Sequence, residues 1–371
     1  MKRIALAATT LGLATGAAHA GGLDRTYTAI DPLFEQGNYA ELSFGYTMPD
    51  VTGSDLGVPP GVGAPNATGN VAGDYSTAGF AFKVDFNEKL SMAMIYDQPY
   101  GADTFYGGNP AATLLGGTSA DAETHALTAL VRYKFTDRIS AYIGPRFVNA
   151  EGDITIAGLA YGPANGANFR FGNTSGTGYV VGAAYEVPEI ALRASLTYHS
   201  PVDLSFRTTE TIPGAGTFST ITNSETPESW ELSVQSGINQ STLVFGSIRH
   251  SMWSDFTLTP TVFGNNLASF DDITTYEIGV GKRFTDRFSG SITISYEDTS
   301  GDDLVSPLGP TNGQTGITVG GKYKLTDALD ISAGVRYTML GDGVPQTGGV
   351  PRGSFDNNDA ISVGVKMGYH F

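Results

Sequence analysis

One short box occurs four times in this chain: Asp85-Phe86-Asn87-Glu88-Lys89-Leu90-Ser91, Lys134-Phe135-Thr136-Asp137-Arg138-Ile139-Ser140, Arg283-Phe284-Thr285-Asp286-Arg287-Phe288-Ser289 and Lys324-Leu325-Thr326-Asp327-Ala328-Leu329-Asp330. Each copy joins two stretches in which large apolar residues alternate with small or polar ones. A period of two puts successive side chains on opposite faces of a strand, so each box is a tight turn within an antiparallel hairpin. Backwards along the last strand, Phe371, Tyr369, Met367, Val365, Val363 and Ile361 share one face, and His370, Gly368, Lys366, Gly364 and Ser362 the other. A soluble sandwich alternates too, but it turns its polar set outward and buries the apolar set under a second sheet. Here the polar set mixes Gly and Ser with Lys, Arg and Glu, as in a wet lumen inside an apolar outer wall.

The same template predicts fourteen strands, at 39–48, 75–86, 89–98, 123–135, 138–157, 174–187, 190–209, 225–238, 241–259, 271–284, 287–299, 314–325, 328–340 and 358–371. Short connections fall at 87–88, 136–137, 188–189, 239–240, 285–286 and 326–327, and long ones at 49–74, 99–122, 158–173, 210–224, 260–270, 300–313 and 341–357. Short periplasmic turns alternating with long extracellular loops on an even strand count describe a 14-stranded antiparallel transmembrane β-barrel, closed so that no edge is left bare. Tyr and Trp near strand ends, including Tyr46, Tyr133, Trp230, Trp253 and Tyr369, are expected in two interfacial girdles. A terminal Phe371 behind alternating aromatics suits recognition by barrel-insertion machinery.

The address agrees with that fold. Lys2 and Arg3 precede an apolar run from Ile4 to Ala14, and Ala18-His19-Ala20 is a small-x-small cleavage site, so residues 1–20 read as a secretory signal peptide. Residues 21–38 then form a short N-terminal plug or hatch segment, and 39–371 the barrel, placed in the outer membrane of a Gram-negative bacterium. A mean hydropathy of -0.08 fits a barrel whose lipid-facing and lumen-facing residues cancel. With no cysteine, disulfides and thiolate metal sites are excluded. The net charge is -16, and removing Lys2 and Arg3 with the leader leaves 19 basic residues against 37 acidic ones, which disfavours nucleic acid as a partner. Many acids sit in the long loops, where they read as solvated tips or as contacts to divalent cations and lipopolysaccharide.

No nucleophile motif or metal-ligand spacing is present, and His125, His199, His250 and His370 fall on different strands. No enzyme activity and no cofactor are expected.

Four further motifs occur in order: Gln98-Pro99-Tyr100-Gly101 closing the third strand, Leu196-Thr197-Tyr198-His199-Ser200-Pro201-Val202, Thr226-Pro227-Glu228-Ser229-Trp230 and Trp253-Ser254-Asp255-Phe256. In sequence and spacing they resemble the FadL-type long-chain fatty acid transporters of bacterial outer membranes. That resemblance implies a monomeric barrel blocked by an N-terminal hatch, a hydrophobic groove among the extracellular loops, a tighter inner site, and sideways release through a kinked third strand. The segment before the first strand is about half the usual hatch and lacks its Asn-Pro-Ala motif, which leaves open whether it plugs the lumen.

Passive uptake of long-chain fatty acids or related hydrophobic compounds is therefore the expected function, with a general aqueous porin as the alternative, and a loop-presenting adhesin and an outer-membrane lipase as further rivals. Among the inward cations, Arg146, Arg193 and Arg336 lie far enough from a periplasmic turn to reach the middle of the barrel, with His199 beside them, and are candidate anchors for a carboxylate. Phe105, Leu114 and Leu115 in loop 99–122 and Phe169 and Phe171 in loop 158–173 are candidate groove residues. Pro99, Gly101 and Pro145 are equivalent candidates for the kink.

Overall fold

A computed structural model of the chain describes residues 23–26, 29–57, 66–298 and 303–371. The expected leader lies outside the described residues, as do Gly21, Gly22, Tyr27 and Thr28 of the expected hatch.

Fourteen antiparallel strands form the barrel: β1 (Tyr39–Asp50), β2 (Tyr75–Asp85), β3 in two pieces (Leu90–Asp97 and Gly101–Phe105), β4 (Ser119–Lys134), β5 (Ile139–Ile156), β6 (Ala167–Val187), β7 in two pieces (Leu192–His199 and Asp203–Ile212), β8 in two pieces (Gly216–Glu225 and Ser229–Asn239), β9 (Thr242–Ser251), β10 (Ile273–Arg283), β11 (Phe288–Glu297), β12 (Gln314–Lys324), β13 (Leu329–Leu340) and β14 (Asn358–His370). β1 pairs with β2 on one side and with β14 on the other, from Tyr39 opposite His370 to Asp50 opposite Asp359. Closure gives every strand two hydrogen-bonded neighbours, which is what lets a sheet sit in lipid.

The repeated box has one structural meaning. Phe86, Phe135, Phe284 and Leu325 each donate a backbone N–H to the carbonyl four residues on, at 2.9 Å in every copy. The next side chain, Asn87 or Thr136, Thr285 or Thr326, accepts two further N–H groups inside the turn. A short polar side chain that mimics a backbone acceptor is why Asn or Thr recurs at this position.

Outside, the apolar set of β14 is exposed as expected, and among the inward residues Ser362 is buried and Lys366 half-buried. Above the membrane the strands run further than predicted. β6 starts at Ala167 instead of 174, so Phe169 and Phe171 stand on a strand and not in a loop. The expected loop 210–224 is a hairpin, Ile212 pairing with Gly216 across a turn in which Gly214 and Gly216 hold positive φ. Beyond the hydrocarbon both faces of a strand meet polar surroundings, so the Thr- and Ser-rich continuation carries no apolar alternation to read. β9 runs the other way: it ends at Ser251, eight residues before the predicted 259, and gives way to a short 3-10 turn at Trp253–Asp255.

The kink is in β3. Its lower piece pairs with β4 as far as Asp97 opposite Ala126, and its upper piece resumes at Gly101 opposite Glu123. Gln98, Pro99 and Tyr100 thus face only Thr124 and His125, a bulge that shifts the register by one residue. On the other side the β2 ladder ends at Phe80 opposite Tyr96, and Ala78 N–H goes instead to the Gln98 side chain at 2.8 Å. Around Pro145 the β4–β5 ladder lapses between Thr128–Arg146 and Val131–Ile143, but the register is unchanged.

Candidate functional site

The N-terminal segment lies inside the barrel and holds the β3 bulge from within. Arg25 and Thr26 donate their N–H groups to Pro99 O, Gly101 donates to Leu23 O, and Thr26 Oγ1 to Gln98 O. Asp24 is fixed by Arg249 Nη1 at 3.0 Å and Trp253 Nε1 at 2.8 Å. The Arg25 guanidinium lies 4.5 Å over the Tyr75 ring, in space that a Cβ on Gly101 would enter.

Lower down, a 3-10 turn at Asp31–Phe34 wedges into the lumen. Ile30, Leu33 and Phe34 pack on Ala81, Ile95, Leu130, Tyr142 and Val180 of the inner wall. Phe34 sits between the Arg132 and Arg193 guanidinium groups at 4.4 and 4.5 Å and edge-on to Tyr142. Lys83 Nζ donates to Glu35 O and Gly37 O. Short as it is, the segment fills the β2–β6 side of the lumen. Beside it remains a cavity of about 210 Å³, which reaches from Glu231 and Glu277 to Phe80 and Ile95 at the β3 interruption.

Above the bulge is an apolar cluster built from Tyr100, Val148, Phe169, Phe171, Leu204, Phe206 and Trp253, covered by Phe256, Leu258, Phe263, Leu267 and Phe270 of the β9–β10 loop. Phe263 meets Phe169 at 4.9 Å, and Trp253 meets Tyr100 edge-on at 5.3 Å. The loop is tied down by Glu210, fully buried, whose carboxylate accepts Val262 N–H, Phe263 N–H and Thr220 Oγ1–H. Glu210→Ala leaves two loop N–H groups without an acceptor, about 1–3 kcal/mol each if they stay buried. Limited proteolysis of the purified barrel is expected to cut within 256–270 at least ten times faster in this variant; an unchanged rate would show that the aromatic packing alone holds the loop.

At the floor of this cluster stands Arg146, 4% exposed. Its Nη1 donates to His199 Nδ1 at 3.4 Å, its guanidinium faces the Tyr100 ring at 6.0 Å, and its Nε is buried without a partner. Among the described residues no carboxylate pairs with it. The other two candidate anchors are engaged: Arg193 with Asp31 of the N-terminal segment, Arg336 with Ser295 Oγ and Thr338 Oγ1.

Arg146 and His199 therefore meet beneath Tyr100, and Phe169 and Phe171 stand higher in the cluster that Tyr100 joins. Leu114 and Leu115 pack elsewhere, with Val51, Tyr106 and Phe355 in a second cluster where Asp55 accepts Leu114 N–H. Burial pushes the Asp55 carboxyl up, against the pull of the Leu114 and Leu115 N–H groups. Phe105, 59% exposed, points away from both clusters, because alternation on the upper piece of β3 turns it outward. Trp253 is a correction of another kind: it is 1% exposed inside the barrel, not in a girdle. The end of β9 before it removed the alternation that would have placed it outside. Tyr100, Asp24 and the β9–β10 loop aromatics are site residues that pattern reading missed. For the loop residues the aromatic density of 253–270 was the available signal; Tyr100 and Asp24 carried none.

A family model described as outer membrane protein transport protein (OMPP1/FadL/TodX) matches residues 30–371. The 47 kDa outer membrane protein of Pasteurella multocida is 25% identical over 223 residues, 52% of this chain and 52% of that protein, so the match spans about half the length of that curated relative. A Pseudomonas aeruginosa FadL homologue superposes with a TM-score of 0.73 at 15% identity, covering 91% of both chains. The Pseudomonas putida toluene transporter TodX superposes with a TM-score of 0.66 at 16% identity, covering 96% of this chain and 98% of that one. The Ralstonia pickettii toluene transporter TbuX does so at 0.64 and 15%, covering 96% and 97%. At these identities the structural likeness establishes the barrel.

Proposed function

Since this chain belongs to the outer membrane protein transport family of OMPP1, FadL and TodX, we propose that it carries long-chain fatty acids or related hydrophobic compounds passively across the outer membrane. One observation supports the reading above the rest: an apolar cluster stands over a buried arginine that has no carboxylate partner among the described residues, beside an interruption in the barrel wall. An acyl chain gains ~0.8 kcal/mol per CH₂ it buries, and a carboxylate arriving at Arg146 supplies the missing partner. The β9–β10 loop lifts, the ligand takes the place of its aromatics, and it leaves sideways between β2 and β3 into the membrane.

A wide aqueous porin fits less well, because the plug packs against the inner wall. We read the barrel as a monomer.

The β3 bulge supplies the test. Deleting Gln98 and replacing Pro99 with alanine matches two residues to two and lets the ladder run through. Fatty acid uptake by cells carrying this variant is expected to fall at least tenfold while the barrel keeps its heat-modifiable mobility on a gel. Normal uptake through a regular β3 would rule out the sideways route.

A further inference from the structure

Above the membrane one strand of the wall has a bare edge. The upper piece of β8, Gly216–Glu225, pairs with β7 on one side, but the β8–β9 ladder stops at Ser229 opposite Ser251 and β9 gives way to the 3-10 turn. At the base of this piece Thr226 N–H donates to Val202 O and Val202 N–H to Thr226 Oγ1, both at 3.0 Å. In the alternating pattern of an antiparallel pair the even residues above Thr226 therefore face β7, and Thr217, Ser219, Ile221 and Asn223 turn their backbone groups to the bare side. Such an edge is a template for another strand. The β9–β10 loop already touches it, Thr261 Oγ1 donating to Ile221 O at 2.7 Å.

The register for a longer β9 is set by its neighbours. β7 and β8 keep one count through their interruptions, His199 opposite Ser229 below and Asp203 opposite Glu225 above. β9 stays in step with β8 as far as Met252, whose N–H donates to Glu228 O at 3.0 Å. Carried on at the same count, Thr257 falls opposite Asn223, Thr259 opposite Ile221, and Thr261 opposite Ser219, two positions from the residue it now touches. The segment Phe256-Thr257-Leu258-Thr259-Pro260-Thr261-Val262 has the period of a strand. Its faces match as well, since Thr222 is 1% exposed and Ile221 52% exposed, and residues directly opposite share a face. Phe256, Leu258 and Val262 would stand inward, Val262 beside Phe218, with the threonines outward. Pro260 would place its missing N–H on the side away from β8, where an edge strand needs no donor. In the loop, the N–H groups of Thr257, Thr259 and Thr261 have no hydrogen bond among the described residues.

We infer that residues 256–262 are a strap with two seats: over the apolar cluster, latched by Glu210, and zipped onto the upper edge of β8 as an extension of β9. Zipping turns Phe263, opposite Thr217, away from Phe169 and uncovers the cluster, while three strap N–H groups gain acceptors. The strap deepens the loop lifting proposed above and rests on that reading for its trigger; the exchange of seats itself needs no fatty acid.

The test is amide hydrogen exchange, read by mass spectrometry, on the purified full-length barrel in a non-ionic detergent: parent alone, parent with dodecanoate, and the ligand-free Glu210→Ala variant. In the latter two, exchange is expected to slow at least tenfold in 256–262 and in 216–225 together while 264–270 speeds up, so that proteolytic cuts in Glu210→Ala fall beyond Val262. Ile221→Pro removes an N–H on the bare side and spares the β7 ladder, and Thr259→Pro removes one from the strap. Each is expected to abolish the slowing, with heat-modifiable mobility showing that the barrel is folded. No slowing in Glu210→Ala, faster exchange in 256–262 with 216–225 unchanged, or slowing that survives both proline variants overturns the strap. Slowing in Glu210→Ala but none with dodecanoate upholds the strap and counts against a fatty acid as its trigger.

Discussion

Arg146→Ala is expected to lower the affinity for a long-chain fatty acid at least tenfold while the matching fatty alcohol binds as before. A guanidinium–carboxylate hydrogen bond in a dry site is worth about 1.5–3 kcal/mol, or roughly ten- to a hundredfold in affinity. Arg146 is the candidate anchor on which that sum applies, since Arg193 already holds Asp31 and Arg336 already holds Ser295 and Thr338. The same variant is expected to keep or raise the thermal stability of the empty barrel. A buried guanidinium whose Nε meets nothing carries a desolvation penalty that alanine does not. A structural arginine would give the opposite pair of results, lower stability with acid and alcohol affinity falling together. Arg193→Ala separates the roles further, because it releases the plug and so disturbs both ligands alike. Binding titrations with the two ligands and a melting curve decide among these, and equal loss of acid and alcohol would remove Arg146 as the anchor.

How far the sequence carried the structure follows from where alternation has a physical cause. Inside the hydrocarbon a side chain faces lipid or lumen, and that contrast wrote Ile361 to Phe371 as a strand with its face assigned. The turn boxes were legible for a related reason, since Asn87 and the three threonines fill a local acceptor role that needs no knowledge of the rest of the fold. Above the membrane the contrast fades, and the hairpin at Ile212–Gly216 read as a loop. Site residues divide along the same line. Arg146 was a candidate because alternation turns it inward far from a periplasmic turn, with His199 beside it, and both are buried as that placement requires. Tyr100 was missed because the bulge at Gln98–Tyr100 turns it inward, and a one-residue slip reverses every assignment beyond it. Asp24 and Trp253 meet across 229 positions of sequence, a pairing no local pattern encodes.

The plug is where a small change is expected to have the largest effect on the whole barrel. Asp31–Phe34 has no strand of its own in the wall, and its hold is local: Leu33 fully buried, Phe34 between two guanidinium groups, Asp31 on Arg193, and two carbonyls on Lys83. Leu33→Ala and Phe34→Ala together remove contacts worth about 2–5 and 3–5 kcal/mol where a side chain is well packed. That is comparable to everything fixing so short a segment. The frame around it survives, because Arg132 remains held by Glu186 and by Ser140 Oγ, and the barrel ladder does not pass through the plug. The double variant is therefore expected to fold and insert normally yet conduct ions at least ten times better in planar bilayers. The remaining cavity of about 210 Å³ then joins the vacated space into one aqueous path lined by Lys83, Arg132 and Arg193 on one side and Glu231 and Glu277 on the other. Conductance unchanged from the parent barrel would mean that the lumen is closed elsewhere, at the apolar cluster above the bulge, and that the plug serves to hold β3 in its bent form.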